Sequence, residues 1–178
     1  MQILLKISSI IDLINEWIGR LTYWLVLLMV AIGAYNAIAS AVGKRIQKSL
    51  TSNTFLELQW YLFSIVFLLA AAYALKHNEH VRVDVFYQNW SRKQQALINF
   101  LGTILFQITF SILVIYFSLP WIINSWGEVS SDPGGLPRDP LKVMIIVSFI
   151  LLILQGISEA IKNWHIFQTS PQEENHDS

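Results

Sequence analysis

The sequence predicts an all-α integral membrane protein with four transmembrane helices, preceded by an N-terminal amphipathic helix. Composition is the first reason: 54% of the 178 residues are hydrophobic and only 13% are charged, against about 25% charged in an average soluble domain. A soluble fold of this composition would expose large apolar patches, which soluble monomers avoid. The second reason is that the charged residues leave four long gaps.

The four charge-free gaps predict where the chain crosses the membrane. A bilayer core requires about 20 mostly apolar residues in helical form. Each gap is long enough, or becomes so when the flanking helical turns are added. The predicted spans are about 21–43, 57–76, 93–120 and 140–163. They form one membrane domain, residues 1–165, and a polar, disordered tail is predicted for residues 166–178.

The segment before the first span has an amphipathic pattern over residues 5–19. Isoleucines recur at helical spacing on one face, while polar side chains including Asp12, Asn15 and Glu16 occupy the other. Interfacial anchors normally carry Lys and Arg on the polar face, whereas this face carries two acidic residues. Two interpretations stay open: a helix lying in the headgroup layer, or an arm laid against the helices of a partner.

The positions of Lys and Arg predict the topology. Seven of them lie near the helix ends on the side of the two termini, and five lie on the other side. Positive residues concentrate in the cytoplasm, so both termini are predicted to be cytoplasmic, in a multi-pass protein of the bacterial inner membrane. The loop between the third and fourth spans is then outside.

Inside the spans the sequence offers packing rather than chemistry. Gly33 and Ala37, four residues apart, would let another helix approach closely, and Gln155 offers an amide for hydrogen bonds between helices. The nearest carboxylates, Glu57 and Glu159, lie at helix ends, whereas a transporter that works alone needs an ionisable group at mid-bilayer.

Catalytic and cofactor chemistry is not expected. No glycine-rich loop with a lysine is present to hold a phosphate, and no Ser/His/Asp set has suitable spacing. His77, Glu79, His80 and Asp84 do not predict a convergent metal site, because the Val-Arg-Val between His80 and Asp84 is typical of extended chain. The absence of cysteine excludes disulfides and thiolate sites, and the zero net charge gives no reason to expect nucleic acid. We therefore predict no enzyme and no cofactor.

Two loops and the last helix carry a family resemblance. Residues 80–84 read His-Val-Arg-Val-Asp after the second span, 131–137 read Ser-Asp-Pro-Gly-Gly-Leu-Pro, and 154–159 read Leu-Gln-Gly-Ile-Ser-Glu. Over about residues 5–165 the chain resembles the DctQ-like small membrane subunit of tripartite ATP-independent periplasmic (TRAP) transporters. Asn78 departs from the pattern, because a glycine-like turn residue is common there.

The resemblance implies an ion-gradient-driven symporter of three parts. A DctP-like periplasmic binding protein would capture an organic anion such as a carboxylate, and a large DctM-like membrane subunit would transport it. This chain would scaffold the large subunit within the lipid bilayer. The alternatives are an independent four-helix transporter or channel, and a membrane-bound enzyme or assembly factor.

The candidate site residues fall into two groups. For contact with the large subunit we expect Gly33, Ala37, Glu57, Glu79, His80, Arg82, Asp84, Gln155 and Glu159. Within this group, Glu79, His80, Arg82 and Asp84 are predicted to form a structural cluster on the cytoplasmic side. For docking of the binding protein in the periplasm we expect Asp132, Gly134, Gly135, Pro137 and Arg138.

Overall fold

A computed structural model describes residues 1–77 and 90–169 of the chain. The helices are α1 (Gln2–Ile46), α2 (Asn53–Lys76), α3 (Arg92–Gly102), a π-helix (Thr103–Ile108), α4 (Thr109–Asn124) and α5 (Asp139–Thr169). Among these residues, four helical stretches are long and apolar enough to cross a membrane: α1, α2, the run from α3 to α4, and α5. The predicted fold class is confirmed.

Helix α1 joins the amphipathic segment and the first span without a break. Its 45 residues correspond to about 67 Å of helix, roughly twice the thickness of a bilayer core. It ends at Gln47, which adopts the left-handed conformation at φ 55° and donates its backbone N–H to the carbonyl of Gly43. This is a common way to end a helix.

The remaining spans begin and end at recognisable local signals. Ser52 caps α2 through its side chain. Ser91 and Gln94 form the capping box that their spacing predicts, at the start of α3. Pro120 lies inside α4, which continues to Asn124. Helix α5 runs from Asp139 to Thr169, so it extends past the predicted span and into the predicted tail, of which residues 170–178 lie outside the described chain.

Helix α5 is the centre of the bundle, because α1, α2 and the run from α3 to α4 all pack against it. One cluster of buried apolar side chains consists of Leu69, Ala72 and Leu151, surrounded by partly buried neighbours. Most large apolar side chains instead face outward, including Trp17, Trp24 and Phe106, each at least 70% exposed. An outward apolar surface is what a lipid environment permits.

The two ends of the bundle differ in what they carry. The terminal end holds the first turns of α1 and α3 and the last turns of α2 and α5. The loop end holds the α1–α2 connection and the loop of residues 125–138 between α4 and α5. Polar clusters lie at both ends.

Candidate functional sites

The loop of residues 127–138 at the loop end is folded back on itself by its own backbone. Ser130 N–H donates to the carbonyl of Leu136 at 2.8 Å, and Arg138 N–H donates to that of Glu128 at 3.1 Å. The tip turns through Gly135, whose φ is +66°, a conformation that glycine adopts without strain.

Glu57, in the second turn of α2, forms the base on which this loop rests. Its residue is 2% exposed, and its Oε2 accepts the backbone N–H of Leu136 at 3.2 Å. Gly134 lies directly against it, since a Cβ added to Gly134 would be 2.0 Å from that same oxygen. Thr54 also donates its hydroxyl to the carbonyl of Gly134 at 3.4 Å. The loop is therefore held by α2 as well as by its own turns.

Lys142 of α5 contacts residues at both ends of the loop. It is 2% exposed and donates to the backbone carbonyl of Ser125. Its ammonium lies 3.6 Å from carboxylate oxygens of both Glu128 and Asp139. Asp139 in turn accepts the backbone N–H of Gly127 at 3.1 and 3.2 Å. Because α4 and α5 meet here, these bonds fix the angle at which the loop leaves the bundle.

The predicted docking residues divide into a half-buried and an exposed set. Gly134 and Arg138 are half-buried, and Arg138 donates to the hydroxyl of Ser131 at 3.3 Å. Asp132, Gly135 and Pro137 are exposed on the surface of the loop. The first set supports the loop, while the second can meet another molecule.

The polar face of the amphipathic segment lies at the terminal end, against α5 of the same chain. Asn15 donates to Gln155 Oε1 at 2.7 Å, and Gln155 donates to Asp12 at 3.0 Å and to Glu159 at 3.1 Å. Lys162 lies 2.7 Å from Asp12 and 2.8 Å from Glu159. The polar side chains of the amphipathic segment therefore contact α5 of the same chain, a contact that neither open interpretation names.

Burial makes this terminal-end network structurally important. Gln155 and Ser158 are fully buried, and Asn15 is 1% exposed. Burial raises the pKa of the Asp12 carboxyl, but hydrogen bonds from Lys162, Ser158 and Gln155 together lower it by more. The net shift of the pKa is therefore downward. Asp12 therefore stays ionised and keeps its partners.

Glu16 forms a second ionic group at the same end. Its carboxylate lies 2.6 Å from Lys76 Nζ, 3.1 Å from His77 Nε2 and 3.1 Å from Arg20 Nε. Hydrogen bonds from Lys76 and then His77 lower the pKa of Glu16 from 4.5 to about 2. A depressed acid pKa contributes stability that is present above the ordinary value and is lost as the pH falls toward 2. Glu16 thus ties the end of α2 to α1.

The candidates for contact with the large subunit are dispersed. Gly33 faces α2 of the same chain, where an added Cβ would be 2.2 Å from the amide of Gln59, whereas Ala37 is exposed. Gln155 and Glu159 belong to the terminal-end network, and Glu57 to the loop. The predicted cluster of Glu79, His80, Arg82 and Asp84 lies outside the described residues.

The pairing of α1 with α5 was not predicted from the sequence. The signal was present in two polar stripes with matching spacing. Ser8, Asp12 and Asn15 stand four and three residues apart, and Gln155, Ser158, Glu159 and Lys162 follow the same helical face.

Of the residues considered as metal ligands, the structure describes only His77. Within residues 1–77 and 90–169, no three His, Asp or Glu side chains are grouped to hold a metal ion.

Comparison with known proteins adds one positive finding. The family model of the DctQ component of tripartite ATP-independent periplasmic transporters matches residues 51–165. Searches of curated proteins and of solved structures gave no match. The matched region contains α2, the run from α3 to α4, the loop of residues 127–138 and most of α5. With this match over more than half of its length, the chain belongs to the DctQ family of TRAP transporter components.

Proposed function

We propose that this chain is the small membrane subunit of a TRAP-type symporter in the bacterial inner membrane, and that it scaffolds the large transport subunit. The pair would use an ion gradient to import an organic anion, a carboxylate, delivered by a periplasmic binding protein. One observation carries the scaffold role. The charged side chains of residues 1–77 and 90–169 lie at the two ends of the bundle, while residues 21–43, 58–75, 94–127 and 143–158 contain none.

This distribution of charge favours a scaffold over a carrier. A carrier of ions or anions places ionisable residues near the bilayer midplane, where they bind the cargo. Here the polar groups fix helices to one another: Glu16 joins α1 to α2, and Gln155 joins α5 to α1. The large outward apolar surface, which includes Phe106 and Phe117, is available for lipid and for the helices of a large subunit.

The first prediction follows from the scaffold role. In liposomes with an imposed sodium gradient and the binding protein outside, the chain alone should take up no organic acid, whereas the chain with its large subunit should. Affinity purification in mild detergent should recover the large subunit in a fixed ratio. Uptake by the chain alone would contradict the scaffold and favour an independent transporter. Failure to recover a polytopic partner would contradict the proposed complex.

We infer further that the loop of residues 127–138 faces the periplasm and docks the loaded binding protein. Its backbone hydrogen bonds and its contact with Glu57 fix its shape in advance, so less conformational entropy is lost on contact. Its exposed surface combines apolar Val129, 63% exposed, with the Asp132 carboxylate and two prolines. Charges at the rim of such a contact mainly set the encounter rate.

The second prediction concerns Asp132. Asp132→Lys should slow uptake, and the loss should depend on ionic strength, because the variant reverses a charge that makes no buried contact. The membrane complex should remain intact. Lys6→Glu, an exposed charge reversal at the terminal end, is the control and should leave uptake unchanged. Arg138 is unsuitable for reversal, because its side chain supports the loop.

Two outcomes would contradict the docking assignment. The first is uptake by Asp132→Lys that equals the parent at every ionic strength. The second concerns topology. The chain contains no cysteine, so a single cysteine at exposed Ser131 can be labelled without background, and labelling only from the cytoplasm would place the loop on the wrong side.

A further inference from the structure

An apolar groove opens at the terminal end between α1 and α3, over the surface of α5. Its floor is formed by Ile157, Ala160 and Trp164 of α5, and its walls include Leu4 of α1 and Ile104 of the π-helix. Its volume is about 460 Å³. The lining is almost entirely hydrocarbon and aromatic, so a polar ligand would lose its hydration there without new hydrogen bonds.

The size of the groove limits its occupant. The groove is open at the surface, and its 460 Å³ equals about one turn of a helix 10 Å across. A transmembrane helix of a partner would therefore lie over the groove and place only side chains in it. A single flexible hydrocarbon chain does fit, because it is far thinner than a helix and can follow the row of side chains from Ile108 to Trp164.

A positive charge lies beside the aromatic side chains that continue outward from the groove. Trp164 packs on Phe100 at 5.2 Å and on Phe167 at 5.7 Å between ring centroids. The ammonium of Lys93 lies 5.2 Å above the Phe167 ring. Glu159 is the acidic residue of α5 nearest to Trp164 in sequence. It is bonded to Lys162 and Gln155, and all three lie on the side of α5 opposite the groove. The end of the groove thus favours an anion.

We propose that this groove binds one acyl chain of an anionic phospholipid, with the lipid phosphate at Lys93. The aromatic row of Phe100, Trp164 and Phe167 lies between the hydrocarbon part and the charge, which is where aromatic side chains are favoured in membranes. The bound chain would fill the space between α1 and α3 and hold the N-terminal segment against α5.

The experiment uses the purified full-length chain in micelles supplemented with phosphatidylglycerol or with phosphatidylcholine. Native mass spectrometry reports retained lipid, and thermal unfolding reports its effect. We expect phosphatidylglycerol to be retained and to raise the unfolding temperature more than phosphatidylcholine does. Lys93→Gln should weaken phosphatidylglycerol binding about fivefold, the usual effect of one basic residue at a membrane surface. The control, Lys6→Gln, changes an exposed lysine that does not line the groove.

Filling the groove tests the hydrocarbon part. Ile157 is 39% exposed, so Ile157→Trp should occupy the groove without disturbing the core and should abolish specific retention. Ile150→Trp, at a 45% exposed position of α5 outside the groove, should retain the lipid. If Ile157→Trp does not fold, Leu4→Trp fills the same space from the opposite wall.

Three results would overturn the proposal. They are equal retention of the two lipids, equal losses for Lys93→Gln and Lys6→Gln, and full phosphatidylglycerol retention in a folded groove-filling variant. A groove-filling variant that keeps the lipid but loses the large subunit would instead assign this surface to the partner.

Discussion

Replacing Gly19 with alanine should lower the free energy of unfolding by about 1–3 kcal/mol, the usual cost of overpacking a well-packed contact. A Cβ at position 19 would lie 2.0 Å from Cδ2 and 2.4 Å from Cγ of Tyr73. The Tyr73 ring has little room to withdraw, because it packs on His77 at 4.4 Å and its hydroxyl is bonded to that of Tyr23. Helices α1 and α2 would therefore have to separate.

A matched glycine supplies the control for Gly19. Gly102 is also helical, but an added Cβ there meets nothing within 4 Å. Gly102→Ala should raise stability by about 0.5–1 kcal/mol, since alanine is the better helix former. Equilibrium unfolding in mixed micelles measures both variants. If both variants changed the free energy of unfolding in the same direction, the close contact of Gly19 with Tyr73 would not be the cause of the effect at position 19.

Replacing Gln155 with leucine should cost about 2 kcal/mol of stability, because three hydrogen bonds are lost together. One is accepted from Asn15, and two are donated to the carboxylates of Asp12 and Glu159. Hydrogen bonds within membranes average about 0.6 kcal/mol each, and those to charged groups are stronger. Leucine has a similar volume, so the loss would reflect polar groups left without partners.

Gln107 is the matched control for Gln155. It is partly buried and donates one hydrogen bond, at 3.1 Å, to the carbonyl of Leu152. Gln107→Leu should cost less than about 1 kcal/mol. The same unfolding measurement compares the two variants, and proteolysis near residue 10 should increase only in Gln155→Leu, because α1 is released from α5. Equal losses for both variants would show that the network does not act as a unit.

The sequence predicts the spans and caps because these depend on neighbouring residues. The apolar gaps and the Ser91–Gln94 capping box are local patterns, and the helices begin and end close to them. The contact of Glu57 with the loop of residues 127–138 was not predicted, because that contact joins residues 79 positions apart.

The same distinction explains the terminal end. The amphipathic pattern of the N-terminal segment is visible in the sequence, but the pattern does not say what its polar face contacts. The partners of Asp12 and Asn15 lie more than 100 residues away on α5. Local periodicity predicts a helix. Which surface contacts the polar side chains of that helix depends on how the whole bundle packs.

The pairing of the first helix with the last has a consequence for biosynthesis. Ser8 bonds to Ser158 and Asn15 to Gln155, across separations of 150 and 140 positions. At a synthesis rate of about 5–20 residues per second, the ribosome needs about 7–30 s to make the intervening chain. Throughout that interval the polar stripe of the nascent N-terminal segment has no partner on α5. The segment must therefore wait at the membrane surface or with an insertion factor, and the bundle closes only after the final span has been made.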